Sequence, residues 1–152
     1  MRFAGKIVLI SGAARGQGAA EARRFANEGA AVVLGDVLDA EGAAVAGEIV
    51  AAGGKAFYRR LDVTQPDDWS AAVDEAVARF GGLHILVNNA GITKRSLLAD
   101  TSLDDWKRIL DVNLNGTFIG MKTAVPAMKR AGGGVIVNIA SISGQTGFHA
   151  IA

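Results

Sequence analysis

The sequence predicts an α/β protein whose doubly wound parallel sheet is of the Rossmann type and ends after its fifth strand. Short apolar runs alternate with longer amphipathic ones along the chain, and a glycine turn follows the first run. Several of the apolar runs are rich in Val and Ile without clean alternation. Strands buried on both faces have this pattern, and right-handed crossovers join such strands into one parallel sheet.

The alternation places five strands and five helices in one domain that spans residues 1–152. The predicted strands are 6–11, Ala30–Gly35, Lys55–Leu61, Leu83–Asn88 and Gly134–Ile139. The predicted helices are 17–28, 39–52, 66–80, 102–111 and 113–131. Because Pro126 lies inside the last helix, we expect a kink or an early end there.

Capping residues support several of these boundaries. Thr64 and Ser102 precede acidic residues at helix starts, so both are predicted N-caps. Gly29 and Gly53 follow helices, where a left-handed residue commonly ends the last turn.

Composition excludes several classes of protein. The 152 residues include 16 basic and 15 acidic side chains, a balance that supports neither nucleic-acid nor membrane-surface binding. The chain has no cysteine, so disulfides and thiolate metal sites are excluded, and a cytoplasmic location is expected. The two histidines, His84 and His149, are far apart in the sequence, and no metal site is predicted.

The turn after the first strand has the chemistry of a phosphate cradle. Its spacing is Gly-x-x-x-Gly-x-Gly, and it opens directly into a helix whose N-terminal N–H groups and dipole favour an anion. The alternative is an ordinary strand-to-helix turn, since the chain contains 20 glycines. The residues predicted to bind a dinucleotide here are Gly12, Arg15, Gly16, Gln17 and Gly18.

Asp36 directly follows the second predicted strand. A carboxylate in this place can accept hydrogen bonds from the adenosine ribose and would repel a 2′-phosphate, which favours NAD over NADP. Arg15 opposes this preference because its charge could attract the 2′-phosphate. The alternative interpretation of Asp36 is a solvated loop residue.

Polar and small residues also follow the later strands, at the edge where the ligand crevice of such sheets lies. Asp62 and Val63 could contact adenine or could simply lead into a helix. The segment Asn88–Gly91, at the end of the fourth strand, could tie neighbouring loops together and leave room for a cofactor, or it could be a plain turn. The remaining candidates at this edge are Asn89, Ala90, Gly91 and Ser141, with Ser143 as a local competitor of Ser141. Asn113 is a further candidate where two predicted helices meet, and its alternative is a helix cap or an exposed polar position.

In their order along the whole chain, these residues resemble the short-chain dehydrogenase/reductase family, including its bacterial NAD-dependent hydroxysteroid dehydrogenase and 3-oxoacyl-carrier-protein reductase types. The resemblance implies hydride transfer between NAD(H) and a small-molecule secondary alcohol or ketone, and a homo-oligomer, either dimer or tetramer. It implies that Ser141 polarises the substrate oxygen and that Asn113 holds a water near the catalytic groups. Ala140 stands where the family has the first serine of its Ser-Ser-x-x-Gly pattern.

The family's Tyr-x-x-x-Lys pair is absent from this sequence. The sole tyrosine, Tyr58, is followed four positions later by Asp62 and cannot replace it. The resemblance places the catalytic Tyr just beyond Ala152, so we expect this sequence to be the N-terminal piece of a longer enzyme, inactive by itself. The alternative is a catalytically silent nucleotide-binding or interaction module.

Overall fold

A computed structural model describes residues 1–146. His149, for which no metal role is predicted, lies outside the described residues. The strands are β1 (Ile7–Ser11), β2 (Ala31–Asp36), β3 (Lys55–Arg60), β4 (Ile85–Asn88) and β5 (Val135–Asn138). The α-helices are α1 (Gly16–Asn27), α2 (Asp39–Ala51), α3 (Pro66–Phe80), α4 (Leu103–Leu110) and α5 (Gly116–Arg130). Shorter helical turns occupy Leu98–Asp100, Asp111–Asn115 and Ile142–Gly144.

The strands form one parallel sheet in the order β3-β2-β1-β4-β5. All residues of β1, β2 and β4 are buried, whereas β3 and β5, at the two edges of this sheet, are partly exposed. The central strands are therefore covered on both faces, as their continuous apolar runs predict. Each strand lies within one or two residues of its predicted range.

Helices cover both faces of the sheet. On one face, α1 and α2 pack against Val8 and Ile10 of β1. On the other face, α3 and α5 pack against Ile7 and Leu9 of the same strand. Successive side chains of a strand point to opposite faces, so β1 contributes to two separate cores. The predicted doubly wound arrangement is confirmed.

The predicted caps are correct except at α3. The hydroxyl of Ser102 accepts a hydrogen bond from the Asp105 N–H, and Gly29 and Gly53 have φ angles of 92° and 85°. The N-cap of α3 is Gln65, not Thr64, and its side chain makes no capping bond. The prediction for Thr64 is wrong because its hydroxyl donates instead to the Asp62 carboxylate, at 2.8 Å.

The junction between α4 and α5 is a π-helical turn, Asp111–Asn115, and not a break. The residues on either side of the turn keep right-handed helical φ and ψ, so α4, the turn and α5 form one continuous segment. The early end predicted at Pro126 is also wrong, because α5 continues to Arg130.

Candidate active site

The glycine turn between β1 and α1 is closed by direct backbone packing. A Cβ atom on Gly18 would lie 2.2 Å from the Gly12 carbonyl oxygen, and one on Gly12 would lie 2.8 Å from the Ala90 Cα. Gly16 has a φ of 55°, and no atom lies within 4 Å of the position that its Cβ would occupy. The first and third glycines thus allow close packing, whereas Gly16 faces open space.

The turn is held against the end of β4 by polar contacts. The Asn89 side-chain amide donates to the carbonyl oxygens of Ser11 and Gly12, both at 3.0 Å. In return, the Ser11 hydroxyl accepts from the backbone N–H groups of Asn89 and Ala90, both at 3.1 Å. The expectation that amides at this strand end tie neighbouring loops together is therefore confirmed.

Asp36 is the last residue of β2, is only 8% exposed, and has its carboxylate beside the glycine turn. One carboxylate oxygen accepts from the Ala14 N–H at 2.9 Å. The other accepts from the N–H groups of Val37 and Leu38, at 2.8 and 3.1 Å. These bonds fix the orientation of the carboxylate, so Asp36 is not a freely solvated loop residue.

A cavity of about 740 Å³ lies at the carboxyl ends of the strands, between the glycine turn and α4. Nine of the eleven residues predicted to bind the cofactor line this cavity: Gly12, Arg15, Gly16, Asp36, Asp62, Val63, Asn89, Ala90 and Gly91. Its size falls in the range of small-molecule and cofactor pockets, about 300–1,000 Å³.

The other two predicted cofactor residues, Gln17 and Gly18, do not line the cavity. The Gln17 side chain turns along the surface of α1 and donates to Glu21 at 2.8 Å. Gly18 is buried behind Gly12. Gln17 and Gly18 can therefore contact a ligand in the cavity only through their backbone groups at the start of α1.

Sequence reasoning missed one whole wall of the cavity. This wall belongs to α4 and the following turn and consists of Asp104, Lys107, Arg108, Asp111 and Val112. The spacing of three and four residues places these side chains on one face of a helix, a signal that was available in the sequence. Leu61, Thr64 and Ile92 also line the cavity without having been predicted, as do Val37 and Leu38.

Asp62 and Val63 are positioned by Thr64, which precedes α3, and by Trp69 of α3, respectively. Oδ1 of Asp62 accepts from the N–H and the hydroxyl of Thr64, at 3.0 and 2.8 Å. The Val63 carbonyl accepts from the indole N–H of Trp69 at 3.0 Å, and Trp69 is fully buried. Among the described residues, no donor is bonded to Oδ2 of Asp62, which leaves this oxygen available to a ligand.

Asn113 does not line the cavity and lies in the π-helical turn beside the loop that follows β4. Its side-chain amide bonds both backbone groups of Ile92: Oδ1 accepts from the N–H and Nδ2 donates to the carbonyl, each at 2.9 Å. The side chain therefore anchors the loop, and it is neither a helix cap nor a free polar group.

Ser141 follows β5 and begins the turn Ile142–Gly144. Its hydroxyl accepts from the Ser143 N–H and donates to the Ser143 hydroxyl, both at 3.1 Å. It is exposed and lies outside the cavity. The structure thus brings Ser141 and Ser143 together and does not bring Ser141 to the residues around the glycine turn.

Tyr58 lies outside the cavity, on β3. Burial, a hydrogen bond to Asp39 and the charge of that carboxylate together raise the pKa of Tyr58 well above its ordinary value. Deprotonation is thereby disfavoured, which agrees with the sequence-based conclusion that Tyr58 does not replace a catalytic tyrosine.

The described residues contain neither a metal site nor a membrane-spanning helix. No group of three or more His, Asp or Glu side chains in residues 1–146 is arranged to hold a metal ion. In the same part of the chain, no helix has both the length and the apolar character needed to cross a membrane.

Comparison with known proteins agrees with the fold. A sequence model described as short chain dehydrogenase matches residues 6–152, and the chain belongs to this family. A crystal structure of a short-chain type dehydrogenase/reductase from Mycobacterium marinum superimposes with a TM-score of 0.93 at 37% identity, over 98% of this chain and 61% of that one.

The curated relatives are named as dehydrogenases. A 3-alpha-(or 20-beta)-hydroxysteroid dehydrogenase of Mycobacterium tuberculosis is 56% identical over 96% of this chain and 55% of its own length. A trans-4-hydroxycyclohexanecarboxylate dehydrogenase of Sinomonas cyclohexanicum is 50% identical over 97% of this chain and 59% of its own length. The chain thus spans little more than half the length of these relatives.

Proposed function

We propose that residues 1–152 are the N-terminal part of the dinucleotide-binding domain of a cytoplasmic, NAD-dependent dehydrogenase that transfers a hydride between NAD(H) and a secondary alcohol or ketone. The observation that carries this proposal is the Asp36 carboxylate, oriented beside the glycine turn at the rim of a cofactor-sized cavity. Family membership and the relatives named as dehydrogenases support the reaction class.

The residues around the cavity fit a nicotinamide dinucleotide. The start of α1 and the open side of Gly16 would receive the pyrophosphate, because N–H groups and the helix dipole favour an anion there. Asp36 would accept from the adenosine ribose, while Oδ2 of Asp62 would accept from the adenine amino group. Ala90 and Gly91 would leave room for the cofactor beyond the end of β4. When bound, the nicotinamide supplies the hydride acceptor or donor.

NAD, rather than NADP, is the proposed cofactor because of charge. A 2′-phosphate about 4 Å from the Asp36 carboxylate would be repelled by about 1 kcal/mol in water and about 4 kcal/mol at an effective dielectric of 20. Arg15 lines the same cavity, is exposed and makes no ion pair within residues 1–146, so its attraction is screened by solvent.

The test of this proposal is Asp36→Ala in the protein at its natural length. The change removes the repulsion and frees the N–H groups of Ala14, Val37 and Leu38, so we expect the NADP-to-NAD affinity ratio to rise about 10- to 100-fold. Titration calorimetry with both coenzymes measures the ratio.

Asp74→Ala is the matched control for this test, because it removes the same charge from an exposed position of α3 outside the cavity. Its affinity ratio should equal that of the unaltered protein. An unchanged ratio in Asp36→Ala would remove Asp36 from its proposed role, and no heat with either coenzyme in the unaltered protein would refute the function.

For the chemical step, we propose that Ser141 polarises the substrate oxygen and that Asn113 positions the neighbouring loop. Hydrogen bonding to the oxygen that gains charge lowers the barrier to hydride transfer. The Ser141 hydroxyl is held by Ser143 and is exposed, so a substrate oxygen can replace its present acceptor.

Replacing Ser141 by Ala should therefore lower kcat about 100- to 1,000-fold, with a smaller effect on the affinity for the coenzyme. Ser143→Ala is the matched comparison and should lower kcat less than about tenfold, since the Ser143 N–H that orients Ser141 remains. Steady-state rates of the protein at its natural length on a secondary alcohol give both values. A larger loss in Ser143→Ala than in Ser141→Ala would reverse the assignment.

We further propose that the protein is a homo-oligomer, either a dimer or a tetramer. The segment formed by α4, the π-helical turn and α5 carries large exposed apolar side chains: Leu103, Trp106, Leu114 and Phe118. Large exposed apolar side chains on one element favour an interface between copies.

A further inference from the structure

We propose that Tyr58 is a positioning residue for coenzyme selection, whose hydroxyl holds the backbone of the loop that presents Asp36 to the adenosine ribose. The inference rests on the proposed function, since it requires Asp36 to contact the ribose. It concerns a residue outside the cavity that acts only through the loop 36–39.

The Tyr58 hydroxyl spans both ends of this loop. It lies 2.6 Å from the Asp36 carbonyl oxygen and 2.8 Å from Oδ1 of Asp39, the first residue of α2, and it shares its single proton between these two acceptors. The same carbonyl also accepts from the Leu61 N–H at 2.8 Å, so both of its acceptor positions are used. The end of β2 and the start of α2 are thereby connected through one side chain of β3.

The position of the Tyr58 ring is determined by a glycine on α2. A Cβ atom on Gly42 would lie 2.2 Å from two carbon atoms of the ring. The ring therefore lies directly against the backbone of α2, in space that exists only because residue 42 has no side chain. This packing places the hydroxyl against the loop, where both hydrogen-bond partners lie.

A second contact to the loop is more exposed. Arg60 donates to the Val37 carbonyl at 3.0 Å and pairs with Asp39 at 3.2 Å, but the Arg60 and Asp39 side chains are 58% and 62% exposed. Exposed ion pairs contribute little, typically below about 1 kcal/mol. The half-buried Tyr58 hydroxyl is therefore the contact expected to restrict the loop.

Restricting the loop matters because Asp36, Val37 and Leu38 all line the cavity. The bonds from Val37 and Leu38 orient the Asp36 carboxylate within the loop, and the Ala14 N–H attaches it to the glycine turn, but none of these bonds joins the loop to β3 or α2. Movement of the loop would carry the carboxylate away from the ribose. NAD binding should therefore weaken. NADP binding should not weaken, because Asp36 repels the 2′-phosphate.

The test is Tyr58→Phe, measured as dissociation constants of NAD and NADP for the protein at its natural length. Loss of one hydrogen bond should weaken NAD binding about fivefold and change NADP binding less than about twofold. Arg59→Gln is the control, because Arg59 is the next residue of β3 and pairs with Glu75 on α3 instead. An equal loss for both coenzymes, or no loss for NAD, would overturn the proposal.

A double-mutant cycle separates positioning from general destabilisation. With Asp36→Ala as background, Tyr58→Phe should leave the NAD-to-NADP affinity ratio unchanged, because the group through which it acts is gone. A shift of the same size in both backgrounds would overturn the positioning role. If Asp36→Ala changes the ratio and Tyr58→Phe does not, only this inference fails. If neither variant changes the ratio, the proposed role of Asp36 fails as well. No binding of either coenzyme to the unaltered protein would refute the proposed function.

Discussion

Gly18→Ala is expected to destabilise the protein by about 3 kcal/mol and to abolish coenzyme binding. The new Cβ would lie 2.2 Å from the Gly12 carbonyl oxygen and 2.6 Å from the Asn89 side-chain nitrogen. The first of these atoms belongs to the backbone, so the whole turn must shift, and overpacking of this kind costs about 1–3 kcal/mol or more. Urea unfolding and calorimetry measure the two effects.

Gly47→Ala is the matched control for this prediction. Gly47 lies in α2, where a Cβ would meet no atom within 4 Å. Alanine has the higher helix propensity, so this change should stabilise the protein by about 0.5–1 kcal/mol. If the two variants unfold at the same urea concentration, the close approach of Gly18 to Gly12 has no energetic importance.

Trp69→Ala is expected to lower the free energy of unfolding by about 3–5 kcal/mol, the range for removing a large buried aromatic side chain. Trp69 is fully buried in the core between the sheet, α3 and α5, and its ring occupies space beside Gly120. The change also removes the indole N–H that holds the Val63 carbonyl at the cavity wall. Coenzyme binding should therefore weaken in the fraction that remains folded.

Trp69→Phe distinguishes the packing of Trp69 from its hydrogen bond. It keeps an aromatic ring but leaves the Val63 carbonyl without its side-chain donor, so we expect a smaller loss than for alanine. Unfolding followed by far-ultraviolet circular dichroism suits both variants, because tryptophan fluorescence is itself altered. A loss below about 1 kcal/mol in Trp69→Ala would contradict the role of this residue in the core.

The parts of the site that were predicted correctly follow from local chemistry and strand order. The apolar runs around Leu9, Val33 and Leu86 indicated central strands, and the carboxyl ends of parallel strands meet at one edge of a sheet. Residues directly after these strands therefore had to lie close together. Nine of the eleven predicted cofactor residues accordingly line the cavity.

The parts that were missed depend on contacts between segments that are distant in sequence. Lys107 and Arg108 line the cavity because α4 lies across from the glycine turn. Their spacing places them on one face of α4, but it does not indicate which part of the protein that face meets. The prediction of Thr64 as an N-cap was wrong for a similar reason. Residue propensity does not indicate whether the Thr64 hydroxyl bonds the N-terminus of the helix or the neighbouring Asp62 carboxylate.

The sequence by itself determined the class of fold, the glycine turn and the acidic residue after β2, because periodicity and motif spacing are local properties of a chain. Only the tertiary structure decided which groups those residues bond. It showed that Asn89 holds the glycine turn, that Asn113 anchors the loop at Ile92, and that Tyr58 reaches the backbone of Asp36. Such pairings arise when packing brings strand ends and helices within hydrogen-bond distance, about 3 Å.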